Sequence, residues 1–275
     1  MQQSVVIDCF PESVARYRKG YAVVAIDVIR ATTMAISAVA AGWRCYAVPT
    51  LEAARSLQRK LDNPILAGEL GGDIPAGFDM NNSPVDLAAR TDSHRPLILL
   101  SSSGTQLIHE SARCEAAYLA CLRNYTAMTE YLVGRHRRIA LIGAGSRGEF
   151  REEDEMCCAW IARGLMWHGY QAENASTRER INHWNNAPTA AGFVGHSVDY
   201  LRRTGQLRDL DFILGHLDDL NAIFSLREGQ IAMIHGEKPV PSSAVLKHTS
   251  TAARVPNVTP DVEAVGQEVP EPRAQ

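Results

Sequence analysis

The chain has 275 residues, 45% of them apolar and 21% charged, enough for one large domain or two small ones of ordinary soluble composition. A net charge of −3 with no long basic run speaks against a nucleic-acid partner. No apolar stretch approaches the roughly 20 residues that span a membrane, and nine histidines show neither H-x-x-x-H nor H-E-x-x-H spacing.

Six cysteines, none in a C-x-x-C pair, and a start that runs directly into SVVIDCF without a secretory leader read as reduced thiols of a cytoplasmic protein. Along the chain, short apolar runs alternate with helical patterns. Strands are expected at 5–9, 22–27, 44–48, 64–67, 97–101, 116–119 and 138–142. Helices are expected at 32–41, 51–61, 84–90, 105–111, 125–134 and 152–167. The strand runs are rich in Val, Ile and Leu without alternation, which suits a sheet covered on both faces. This rhythm gives an α/β fold with a mostly parallel sheet between helix layers. After Gly169 the pattern weakens. Residues 189–205 read as one helix, 207–226 as one or two short helices and 230–236 as a last strand. From 238 to 275 a Pro-rich tail cannot bury much surface and reads as disordered, leaving 1–237 as the folded domain.

In open α/β sheets, ligands bind beyond the carboxyl ends of strands, where helix N-termini favour anions. Five predicted strand ends carry polar groups. Asp27, Arg30, Thr32 and Thr33 follow the second strand. Glu69, then Asn82 and Ser83, follow the fourth. SSSGT, with Ser102, Ser103, Gly104 and Thr105, follows the fifth. Asn124 follows the sixth. Arg147, Glu149, Glu153 and Asp154 follow the seventh. The coincidence predicts one polar cleft along one edge of the sheet. Each group also has an ordinary reading. Asp27 could cap a helix, SSSGT could be a capped turn, and acids at 152–155 complement a helix dipole. Adjacent Glu153 and Asp154 equally suit Mg²⁺, which takes carboxylate and water oxygens.

Three decoys are set aside. GAGSRG, from Gly143, fits G-x-G-x-x-G, but no acid closes a following strand about 20 residues on. Cys157 and Arg163 are spaced C-x₅-R inside a helical pattern with no glycine-rich cradle. Residue 29 is Ile, so no D-x-D aspartyl-phosphate motif starts at Asp27. The stripe Met156–Trp160–Gly164–Trp167 reads as core or as a subunit contact.

The stretches VVAIDVIRATTMAISAVAAG, LAGELGGDIPAGFDMNNSP, LLSSSGTQLI, LACLRNYTAMTEYL and IALIGAGSRGEFREEDEMCCAWIARGL together resemble the 2-phosphosulfolactate phosphatase (ComB) family. The likeness covers residues 4–235. It implies a three-layer α/β/α fold and a cytoplasmic, Mg²⁺-dependent hydrolase. The implied reaction converts 2-phosphosulfolactate to sulfolactate and phosphate, on the route to coenzyme M. The family's D-V-[LI]-R-A-T-T stretch falls on Asp27, Arg30, Thr32 and Thr33, and its G-E on Gly68 and Glu69. Its E-D falls on Glu153 and Asp154. This chain departs from the family pattern at Ser103, where asparagine is common, and at Asn81, where glycine is. The departures keep close analogues open as substrate.

The resulting hypothesis places Mg²⁺ on Asp27, Glu69, Glu153 and Asp154. Asp27, Arg30 and Glu149 are the catalytic candidates. Thr32, Thr33, Asn82, Ser83, Ser102, Ser103, Gly104, Thr105, Asn124 and Arg147 are expected to bind substrate. A small phosphorylated acid is the expected partner, with a homodimer possible and neither nucleic acid nor membrane involved. The alternatives are a binder without turnover and a different enzyme, such as a lyase, on the same scaffold.

Overall fold

The structure, a computed structural model, describes residues 2–145 and 148–234. These belong to one unit, Met1–Pro239; the other, Val240–Gln275, lies outside the described residues, as does the tail expected from 238. The described residues contribute ten strands to one sheet. They are β1 (Ser4–Cys9), β2 (Ala22–Ile26), β3 (Cys45–Val48), β4 (Ile65–Gly68) and β5 (Leu97–Leu100), then β6 (Ala116–Ala120), β7 (Arg138–Gly143), β8 (Gln171–Ala172), β9 (Ile223–Arg227) and β10 (Gln230–Ile234). The helices are α1 (Ala31–Ala40), α2 (Leu51–Gln58), α3 (Pro84–Ala88), α4 (Gly104–Ser111), α5 (Tyr125–Leu132), α6 (Glu152–Trp167), α7 (Ala175–Asn185), α8 (His196–Arg203) and α9 (Leu207–Gly215). No helix among the described residues is long and apolar enough to cross a membrane.

The order across the sheet is β4-β5-β3-β10-β9-β6-β2-β7-β1-β8. Most neighbours are parallel. The β9–β10 hairpin is wedged between β6 and β3 and is antiparallel to both. Three antiparallel steps in succession reverse the strand direction, so β4-β5-β3 run opposite to β6-β2-β7-β1-β8. Successive residues of each strand enter opposite cores. Val24 and Ile26 pack with α5, α6 and α7, while Val23 and Ala25 pack with α1 and α4. Ala54 of α2 covers Leu66, Ile98 and Leu100. The result is the three-layer α/β/α arrangement, because strands such as AVVAI and LILL are fully buried and need a cover on each face.

Two readings of the sequence are corrected. Residues 189–205 are not one helix but a 3-10 turn, Thr189–Phe193, followed by α8; Gly195 divides them with φ of 111°, a region favouring glycine. Residues 207–226 hold α9 and then a strand, since Ile223 and Phe224 are drawn into the sheet core. A 3-10 turn at Pro11–Tyr17 and the pair β8–α7 carried no clear periodic signal. The Met156–Trp167 stripe splits. Met156 is buried, Trp160 packs on Tyr125 with centroids 5.2 Å apart and Gly164 abuts Thr129, while Trp167 is exposed.

Candidate active site

The residues that follow β2, β4, β5 and β7 share one cavity of about 450 Å³. The turn after β2 supplies Asp27 and Arg30, and the segment after β4 supplies Glu69, Gly72 and Asn82. Ser102 and Ser103 follow β5; Gly145, Glu149, Arg151 and Asp154 follow β7. Four of the five predicted polar strand ends therefore meet, although their strands lie in blocks of opposite direction. The end of β6 does not join them.

Asp27 and Asp154 are buried on the cavity wall. Backbone N–H groups orient both carboxylates. Ala31 N donates to Asp27 Oδ1 at 3.1 Å, and Val28 N donates to Asp154 Oδ1 at 2.7 Å. Burial pushes the Asp27 carboxyl up to about 6; the Ala31 hydrogen bond opposes this, and Glu69 adds to it. Asp154 is raised well above the usual range by burial, then by repulsion from Asp27 and Glu153. Glu153 is raised to about 7, chiefly by burial, against a hydrogen bond from Ser197. Arg30 lowers Asp27 less than burial raises it, and mutually repelling buried carboxylates favour protons or a metal ion in their midst.

Glu69 lines the cavity, but its oxygens are engaged. Oε1 accepts from Ser102 N at 2.7 Å, and Oε2 accepts from Ser102 Oγ at 2.9 Å and Gly72 N at 2.8 Å. It ties the Gly72 and Ser102 loops together. Arg30 is engaged as well. Its guanidinium is buried against the Asp209 carboxylate of α9, and it donates to Gln206 Oε1 at 2.6 Å and Asn81 Oδ1 at 3.3 Å. Glu149 is half-exposed and bridges Arg151 at 3.1 Å and His196 at 3.6 Å.

Several expected substrate ligands lie off the wall, their polar atoms satisfied within the fold. Thr32 Oγ1 accepts from Asp27 N and donates to Asp27 O, and Thr33 Oγ1 donates to Val28 O. Thr105 and Ser101 exchange the same kind of bonds. Ser83 caps α3 and donates to Asp209 Oδ1 at 2.6 Å. Asn124 is fully buried; its amide bonds Cys121 N, Leu119 O and Ala222 O, joining the β6 end to the β9 approach. Gly104 serves by being small: a Cβ there would overlap Asp27 Oδ2 and the Ala31 methyl. Glu153 sits behind the wall, and Arg147 lies outside the described residues. Asn82 and Ser103 do line the cavity. Asn82 Oδ1 is buried without a hydrogen-bond partner among the described residues.

Sequence reasoning placed helix over α8 and α9 but gave neither a part in the site. His196, Ser197, Tyr200 and Arg203 of α8 form a wall, and Asp209 of α9 neutralises Arg30. Spacing offered no usable signal, since Asp211 lies among the same apolar residues of LRDLDFILG as Asp209 and yet is exposed.

A sequence model of the family described as 2-phosphosulpholactate phosphatase matches residues 9–229. The protein named probable 2-phosphosulfolactate phosphatase from Symbiobacterium thermophilum is 32% identical over 223 residues, 78% of this chain and 95% of that protein. Proteins of the same name from Pseudothermotoga lettingae and Thermotoga maritima are 34% and 32% identical over 142 residues. The match to these two spans 52% of this chain and 61% of theirs. The family match takes in all four strand ends that build the cavity, and this chain belongs to the 2-phosphosulfolactate phosphatase family.

Proposed function

We propose that the chain hydrolyses 2-phosphosulfolactate, or a closely related phosphorylated hydroxy acid, to the hydroxy acid and phosphate, with Mg²⁺ as cofactor, in the cytoplasm. One observation carries the reading: Asp27 and Asp154, from different strand ends, are buried together on one cavity wall with raised pKa values. The donor set fits Mg²⁺. It is all oxygen, and Mg²⁺ takes one or two carboxylates while keeping several waters. The unpartnered Asn82 Oδ1 adds a buried acceptor for such a water. Asp27 and Asp154 would hold the ion, with Glu153 and Glu69 as supports behind and beside them. Bound there, Mg²⁺ would neutralise charge on the phosphoryl oxygens.

The chain's own residues do the rest. Phosphoryl transfer needs positioning and charge stabilisation more than covalent chemistry. Ser103 offers a hydroxyl on the wall with no partner among the described residues, suited to a phosphoryl oxygen. Arg151, held at the cavity by Glu149, adds positive charge. Glu149 is the exposed carboxylate of the wall and takes the proton of the attacking water.

Phosphate release from phosphorylated hydroxy acids tests the reading. Release from 2-phosphosulfolactate is expected, lost in EDTA and restored by Mg²⁺. A binding-only role has one observation in its favour: among the described residues no group of three or more His, Cys, Asp or Glu forms a ready metal site. Saturable binding without release in the same assay would select it.

Gly104→Ala gives a sharper test. The added methyl must displace the Asp27 carboxylate or Ala31. A misplacement near 1 Å costs about 100-fold in rate. A comparable loss of phosphate release, with an unchanged circular dichroism spectrum, is the expected result.

A further inference from the structure

We propose that Arg203, at the carboxyl end of α8, is the specificity-determining cation of the cavity and takes the second anionic group, carboxylate or sulfonate, of the substrate. The inference rests on the phosphatase reading and deepens it. A phosphorylated hydroxy acid carries a carboxylate beside its phosphate, and 2-phosphosulfolactate a sulfonate as well, so one phosphate site does not account for its recognition.

Charge accounting singles out Arg203. Three arginines of the described residues line the cavity: Arg30, Arg151 and Arg203. Arg30 is neutralised by Asp209 and further held by Gln206 and Asn81. Arg151 is bridged to Glu149 at 3.1 Å. Arg203 makes no ion pair or side-chain hydrogen bond to any described residue, whereas its neighbour Arg202 is paired with Asp199 at 2.6 Å. A planar fork of five donors with no protein acceptor suits a carboxylate or sulfonate bidentately.

The helix that carries it is fixed. Val198 and Leu201 are buried in the core. Tyr200, one turn before Arg203, donates to the Gly72 carbonyl and accepts from Gln206 at 3.5 Å. Ser197, on the same helix, hydrogen-bonds Glu153 beside the proposed Mg²⁺ ligands. One rigid helix therefore spans from the metal end to Arg203, which sets the distance between the phosphate and the acid group that Arg203 takes.

The experiment compares wild type, Arg203→Ala and Arg203→Lys in the full chain with Mg²⁺. The substrates are 2-phosphosulfolactate, phospholactate and isopropyl phosphate, which has no second charge. Charged hydrogen bonds of about 1.5–3 kcal/mol correspond to roughly 10- to 150-fold. Arg203→Ala is expected to reduce the preference for the acids over isopropyl phosphate, as a ratio of kcat/KM, by that factor. The loss should fall mainly on KM, and Arg203→Lys should recover part of it. An unchanged preference, or a loss falling equally on all three esters, overturns the proposal. Calorimetric titration with sulfolactate keeps the test independent of turnover. Weaker binding by Arg203→Ala supports the assignment; equal binding, or none by wild type, refutes it.

Discussion

Asp27→Asn is expected to abolish Mg²⁺-dependent phosphate release, by about 100-fold or more, while the protein stays folded. The size follows from losing several kcal/mol of charge stabilisation at the phosphoryl group, at 1.36 kcal/mol per factor of ten. The amide is nearly isosteric, so the contact with Gly104 survives. What changes is charge, and with it the hold on the cation.

Titration gives the same variant a second readout. Asp27 is raised from an ordinary 3.8 to about 6, and Glu153 from 4.5 to about 7. A carboxyl raised on folding keeps a proton that the unfolded chain has released. Its contribution to stability is full below the ordinary value and is lost as pH rises through the raised one. The metal-free protein should therefore lose stability from this cluster between about pH 4 and pH 7 and then level off. Mg²⁺ must displace those protons, so its effect on Tm should be larger at pH 8 than at pH 5.5. Asp27→Asn should shrink the effect at both. A Tm shift by Mg²⁺ that is independent of pH and retained in Asp27→Asn would place the ion elsewhere on the molecule.

The residues differ in how far their roles could be read from order alone. The strand–helix rhythm was legible because AVVAI and LILL are apolar throughout, and only a sheet covered on both faces buries such runs. The polar strand ends were legible because carboxylates and glycines interrupt those runs. The last strand, β10, was legible too, but its partner β9 was not. Nothing local tells Ile223–Arg227 to enter the middle of the sheet beside a strand some hundred residues earlier. The hydroxyls misled for a definite reason. Thr32, Thr33 and Thr105 sit where a strand turns into a helix, and there a side-chain oxygen satisfies nearby backbone as readily as a ligand. Arg203 and Asp209 were passed over because their helices carry no glycine-rich turn or acid pair; their importance comes from what they face across space.

Asp209→Ala should be the most damaging single change to stability. Its carboxylate and the Arg30 guanidinium are each only 2% exposed. Removing the acid leaves a buried cation unpaired and also strips the partner from Ser83 Oγ and Val85 N. Breaking one side of a buried pair costs about 3–5 kcal/mol, and in a chain of this size each kcal/mol moves Tm by about 2–4 °C. A fall near 10 °C is expected by calorimetry, with Asp209→Asn intermediate because the amide keeps a hydrogen bond but not the charge. Replacing both partners separates fold from function. Arg30→Met with Asp209→Leu should recover most of the lost Tm, since an apolar pair of similar volume needs no desolvation to be offset. If Arg30 also serves the cavity it lines, phosphate release should stay low in that stable double variant. Recovery of both would mean that the arginine in the DVIRATT stretch is there to hold α9 against the sheet, and that the phosphate is met by other groups. A wild-type Tm in Asp209→Ala would show that the pair contributes no net stability at all.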